Sequence, residues 1–140
     1  MISTFETGLE YYNLNDYPQA IKLFNKSLTE VTDTLTISNI YRQIGDCYNA
    51  QHDYITAYEY YLRSLDFHID EEIYFNLGAI NYLVFKDNKT ALQYFKAALS
   101  LGFTELGIKD YIKDIEKQSN IIRKDWLIYG ENISRSYKRY

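Results

Sequence analysis

Few side chains in this sequence could carry covalent or acid–base chemistry. The single thiol, Cys47, stands five residues before His52, and the second histidine is His68. A cysteine nucleophile needs a neighbouring base or cation to populate its thiolate. Here Cys47 falls within an apolar helical stripe and both histidines fall at polar breaks, so a structural thiol and surface histidines are expected. One cysteine also excludes an internal disulfide framework and any cysteine-based zinc cluster. Asp70-Glu71-Glu72 gathers three carboxylates without the glycine-spaced oxygen ligands of a calcium loop, and reads as the negatively charged first turn of a helix. There is no Cys-x-x-Cys, glycine-rich phosphate loop or His-Glu-x-x-His helix. Asn-x-Ser/Thr triplets start at Asn25, Asn88 and Asn132, and without an export signal they are read as coincidental. The expectation is a non-enzyme with no catalytic residue, metal or cofactor.

The elements that would position these residues belong to one domain of 140 residues, 46% apolar, with one proline and sixteen tyrosines. A chain of this length buries roughly two-thirds of its unfolded surface, so it needs neither metal nor disulfide to fold. No apolar run approaches the roughly twenty residues of a membrane span. The opening MISTFETGLE has neither the basic region nor the hydrophobic core of a signal, which makes cytoplasmic the expected localisation. Net charge is −4, and its distribution is uneven: residues 1–118 hold 10 Lys and Arg against 17 Asp and Glu, residues 119–140 hold 5 against 2. An acidic body argues against a protein that works by neutralising phosphates, so no nucleic-acid partner is expected.

An internal repeat organises the chain. Gly8 and Tyr11 align with Gly45 and Tyr48; Tyr17 and Tyr54, Ala20 and Ala57, Phe24 and Tyr61, and Ser27-Leu28 and Ser64-Leu65 follow at matched offsets. A third copy runs from Gly78 through Tyr82, Ala91, Phe95 and Ala98-Leu99, with one extra residue between Gly78 and Tyr82 or nearby. From alanine to alanine the steps are 37 and 34 residues. Within each copy, apolar residues at spacings of three and four flank a short polar break, which describes a helical hairpin. The breaks are read as Asn15-Asp16, His52-Asp53 and Asp87-Asn88, where Asp or Asn can cap the second helix, and Pro18 fits its first turn. Small residues (Gly45, Gly78, Ala57 and Ala91) mark the close approach of two helices, and essentially no strand is expected.

This pattern resembles the tetratricopeptide repeat. The second copy carries it most fully in Tyr41, Ile44-Gly45, Tyr48, Tyr54, Ala57, Tyr61 and Ser64; the third has Tyr74, Leu77-Gly78, Ala91, Phe95 and Ala98. Thr4 and Thr7 depart from it in the first copy, the proline that commonly closes each repeat is absent, and an insertion near Val31 to Thr36 lengthens the first junction. The resemblance implies an all-α solenoid of three hairpins, at about 2–32, 38–69 and 71–101, with one or two C-terminal helices. Gly102 is a helix C-cap signal, and residues 104–118 bear a stripe of Ile108, Tyr111, Ile112 and Ile115 suited to capping the array. Residues 119–140 form a basic amphipathic segment with Ile122, Trp126, Tyr129, Ile133 and Tyr137 on one side, which Gly130 weakens by about 1 kcal/mol relative to alanine.

The resemblance also implies that the first helix of each hairpin lines a concave groove. The positions it assigns there are Phe5, Glu6, Leu9, Tyr12 and Asn13; Asn39, Arg42, Gln43, Asp46 and Asn49; and Glu72, Phe75, Asn76, Ala79 and Tyr82. Carboxamides offer donors and acceptors to an extended main chain, and the aromatics could take its apolar side chains. The family's clamp of Lys, Arg and Asn for the C-terminal carboxylate of heat-shock chaperones is matched here by Phe5, Leu9, Gln43, Glu72 and Asn76, so its lysines and arginine are missing and that ligand is not expected. The function implied is a protein-interaction adaptor or scaffold for an apolar, neutral or basic segment of a partner. The alternative is a self-associating or chaperone-like protein, similar to the secretion chaperones of this repeat type, that uses its C-terminal segment.

Overall fold

The computed structural model describes residues 1–105 and 107–137, with side chains through residue 132. Lys138, Arg139 and Tyr140, and the side chains of Ile133, Arg135 and Tyr137, lie outside the described part. The chain is all-α: helices α1 (Thr4–Asn13), α2 (Tyr17–Leu28), α3 (Thr34–Ala50), α4 (Tyr54–Leu65), α5 (Glu71–Ile80, running into a π-helical turn Asn81–Phe85), α6 (Asn88–Ser100) and α7 (Ile108–Tyr137). Two compact units divide it, Met1–Phe103 and Thr104–Tyr140. The first holds three hairpins, α1–α2, α3–α4 and α5–α6.

Each hairpin turn is built the same way, from two residues. Asn15, His52 and Lys86 adopt left-handed φ angles of 61°, 63° and 58° just past the first helix. In the first two hairpins the next two amides close a Schellman motif: Asn15 N and Asp16 N donate to the carbonyls of Tyr12 and Tyr11, and His52 N and Asp53 N to those of Asn49 and Tyr48. The aspartate that follows caps the second helix, with Asp16, Asp53 and Asp87 accepting from the amides of Gln19, Thr56 and Thr90. The third break is therefore Lys86-Asp87 rather than Asp87-Asn88, because it is the left-handed residue plus capping aspartate that recurs, and Asn88 already opens α6.

The extra residue of the third copy has a definite place. It is absorbed by the π-turn Asn81–Phe85, where the amide of Asp87 reaches back to the carbonyl of Asn81 at 2.9 Å. The insertion before the second copy is absorbed differently. Asp33 caps α3 through the amide of Thr36, so α3 begins at Thr34 and reaches 17 residues, against 10 for α1.

The core bridges successive hairpins. One buried cluster joins Ala20 and Phe24 of α2 to Ile40, Ile44 and Cys47 of α3; a second joins Ala57 and Tyr61 of α4 to Ile73, Leu77 and Ile80 of α5. Within a hairpin, a ring of the second helix packs directly against a glycine of the first: Phe24 on Gly8, Tyr61 on Gly45, Phe95 on Gly78. The middle hairpin adds a buried serine pair. Ser38 Oγ donates to the carbonyl of Ser64 at 3.0 Å and Ser64 Oγ to that of Ser38 at 2.7 Å, which satisfies both hydroxyls inside the interface. A Schellman motif ends α6, with Gly102 at φ 100° and the amide of Phe103 on the carbonyl of Ala98.

In the second unit, α7 is one continuous helix through the boundary drawn at residue 118, and it exposes Ile121, Ile122, Trp126, Leu127, Ile128 and Tyr129. No helix among the described residues is long and apolar enough to cross a membrane.

Candidate partner-binding face

Cys47 is fully buried in α3, and burial followed by the nearby Asp46 carboxylate pushes its thiol up to about 12. His52 sits exposed at the turn, its Nδ1 2.8 Å from the hydroxyl of Tyr54. A buried thiol that resists ionisation suits a packing role in the core of α3. Asp70 caps α5 through the amide of Glu72, which leaves the acidic triplet as a helix first turn; among the described residues no group of His, Cys, Asp and Glu could hold a metal.

The first helices α1, α3 and α5 carry the residues assigned to the groove, and their neighbours sort them. Phe5 packs on Phe24 with ring centroids 5.6 Å apart. Phe75 stacks on Phe103 at 4.7 Å and tilts onto Phe95 at 5.9 Å. Leu9 and Tyr12 are half-buried against the first core cluster, and Tyr12 meets Tyr17 edge-on at 5.5 Å. Burial and, second, the Asp46 carboxylate hold the Tyr12 hydroxyl above its usual range. These four rings and chains are thus tied into the packing of the hairpins. Asn13 is exposed at the end of α1, and Tyr82 is half-buried in the π-turn.

The polar positions are more informative. Arg42 of α3 reaches Glu72 of α5 at 2.8 Å and bridges two hairpins. An ion pair this exposed adds well under about 1 kcal/mol, but it engages the only basic residue on α1, α3 and α5. Asp46 accepts the hydroxyl of Tyr61 at 2.7 Å. Its carboxyl lies above the ordinary range because burial outweighs the relief from Tyr61 and Arg42. Asn39 and Gln43 are half-buried on α3, and Glu6 spends its carboxylate on the Ser3 capping box.

Asn49 and Asn76 are brought together. They line a cleft of about 240 Å³ with Ala79, where three of the assigned positions meet. The remaining walls, Tyr54, Ile80, Leu83 and Val84, were not among the assigned positions. Leu83 and Val84 reach the cleft from the π-turn, whose signature in the sequence is the one extra residue after Gly78.

No family model matches the chain. Over 52 residues it is 38% identical to protein unc-45 homolog B of Xenopus laevis, a stretch that is 37% of this chain and 6% of the frog protein. Among solved structures, it is similar to the TPR2AB domain of yeast Sti1 in a pHSP90 complex (TM-score 0.65, 17% identity, 84% of this chain and 46% of that one). It is also similar to the UNC-45 chaperone (TM-score 0.68, 22% identity, 87% of this chain and 14% of that one). A third similar structure is the C-terminal TPR-containing domain of a Plasmodium falciparum FK506-binding protein (TM-score 0.63, 23% identity, 86% and 89%). The chain thus spans less than half the length of the frog protein, the Sti1 chain and the UNC-45 chain. At these identities the three structures establish the fold.

Proposed function

We propose that this chain, which has the tetratricopeptide-repeat solenoid fold, is a non-enzymatic interaction module that holds a peptide or helix of a partner protein against α1, α3 and α5. The observation that carries the reading is the cleft that joins Asn49 of α3 to Asn76 of α5 beside apolar walls. Burial of a partner's apolar side chains would supply affinity there, and the two carboxamides would fix the register of its main chain. The similar yeast structure is a pHSP90 complex, and the similar chaperone is described as binding and folding muscle myosin, so partner segments are ligands of this fold. A carboxylate-ended chaperone tail does not suit this face, because its single arginine is paired with Glu72. A neutral or basic segment does.

Display of random peptides against the immobilised full chain is the test. Selected peptides are expected to bind about tenfold more weakly to an Asn49→Ala, Asn76→Ala double variant, the loss of one or two hydrogen bonds to a main chain. Peptides that bind the double variant as tightly as the native chain would sink the assignment. Phe75→Ala is unsuited to the purpose, since Phe75 supports Phe95 and Phe103.

A second reading, self-association, is favoured by α7. Six large apolar side chains within residues 121–129 are each at least half exposed, Trp126 at 68%. A patch of this kind marks an interaction surface. On this reading light scattering gives a mass above the 16.6 kDa of one chain, and Trp126→Ser returns it to that value; a native chain that scatters as a monomer at high concentration removes the reading.

A further inference from the structure

We infer that the π-turn of the third hairpin builds a subsite for one aliphatic side chain of an extended partner segment, flanked on that segment by lysine or arginine. The inference rests on the groove reading above and adds which residues select the occupant.

Three observations converge. The first is the turn itself. Counted back from the capping aspartates, Leu83 and Val84 stand where the second hairpin has Asn49 and Ala50 and the first has Tyr12 and Asn13. The third hairpin therefore presents two adjacent aliphatic residues at its turn, 51% and 39% exposed, beside the Asn49–Asn76 cleft.

The second is that this turn is held rigidly. Asn81 is 3% exposed, and its Nδ2 donates to the carbonyl of Leu77 at 2.8 Å and to the hydroxyl of Tyr58 at 3.3 Å. Tyr58 in turn donates to Tyr94 at 3.2 Å and meets Phe85 edge-on at 5.4 Å. The aliphatic wall is thus fixed before any ligand arrives, which lowers the ordering cost of binding.

The third is charge. Among the positions assigned to the groove, Glu6, Asp46 and Glu72 are carboxylates and Arg42 is the one cation, which already pairs with Glu72. Lys86 follows at the turn and offsets only one of them. The face repels an acidic segment and attracts a basic one. The cleft's volume of about 240 Å³ admits an aliphatic side chain with its adjoining main chain, and Asn49 and Asn76 are placed to bond that main chain.

The probe is a fluorescein-labelled peptide with one leucine flanked by lysines, titrated against the full chain by anisotropy. Matched peptides carry alanine for the leucine or glutamate for the lysines. Each change is expected to weaken binding by roughly tenfold or more, as loss of a buried leucine or reversal of charge does. Leu83→Ser should weaken the leucine peptide to about the level of the alanine peptide. Leu14→Ser, at the 74% exposed end of α1, should leave it unchanged. Equal binding of the leucine peptide to native and Leu83→Ser chains, equal binding of the glutamate peptide, or no binding of any probe overturns the inference. The two failures separate: display-selected peptides that respond to Asn49 and Asn76 but not to Leu83 leave the groove standing without this subsite, whereas display that yields no peptide removes both.

Discussion

Gly45→Ala is expected to destabilise the protein by about 2–3 kcal/mol in urea unfolding, although alanine is the better helix former by about 1 kcal/mol. A Cβ at position 45 would stand 2.8 Å from Cδ1 and Cε1 of Tyr61 and 3.4 Å from the carbonyl oxygen of Ala57. Neither neighbour can yield cheaply. Tyr61 is fully buried and its hydroxyl is anchored on Asp46, and the carbonyl belongs to the backbone of α4. The same substitution at Gly130 of α7 meets nothing within 4 Å, so there the propensity gain stands alone and local helix stability should rise by up to about 1 kcal/mol. Opposite signs for one substitution on two helices are the signature of close helix approach. A Gly45→Ala chain as stable as the native one would mean that the ring does not lie on that glycine.

Tyr61→Phe is expected to cost about 1–2 kcal/mol at neutral pH, more than the loss of an exposed hydrogen bond, because it strips a donor from a buried carboxylate. Tyr61 is also the position where the other two copies carry phenylalanine, so the ring itself fits. The consequence reads out in pH. Asp46 has a folded pKa above its ordinary value of about 4, so the folded chain binds its proton more tightly than the unfolded chain does. Stability contributed by this group is then full below about pH 4 and declines as pH rises through the raised folded value. Glu6, Asp33 and Asp87 act oppositely, since hydrogen bonds from Ser3, Thr36 and Thr90 lower their pKa values and their stabilisation is lost on acidification. The contribution of Asp46 is therefore isolated by difference. Asp46→Asn should gain stability relative to the native chain as pH is raised from 4 to 7, and Tyr61→Phe should extend that decline to higher pH by removing a bond that favours the carboxylate. A difference between native and Asp46→Asn chains that is flat across this range would show that Asp46 is not desolvated.

Much of the scaffold is legible in the residues. The glycines at 8, 45 and 78 and the rings at 24, 61 and 95 recur at fixed offsets, and they prove to be direct partners. The excess of tyrosine is largely packing: Tyr48 stacks on Tyr60 at 5.6 Å, Tyr41 on Phe67 at 5.7 Å, and Tyr58 and Tyr74 both meet Tyr94. The surroundings of the positions assigned to the groove are less legible. Phe5 and Phe75, assigned to it as ligand platforms, have rings of their own unit against them, and a repeat pattern cannot say which half of an aromatic side chain is left free. Leu83 and Val84 owe their place beside Asn49 and Asn76 to the extra residue of the third copy, which a matched period skips as a gap but the backbone must place somewhere.

What the sequence by itself determined is the all-α class, the order of the three hairpins and the pairing of helices within each, since these follow from local periodicity and capping aspartates. Tertiary structure alone decided where the two insertions went. The one before the second copy lengthened α3, where Asp33 could cap an earlier start, and the one in the third copy became a π-turn, where Asn81 could be buried with its amide bonded to Leu77 and Tyr58. Both outcomes conserve backbone hydrogen bonding, so local sequence does not choose between them; the choice falls to whichever neighbour can satisfy the displaced polar groups.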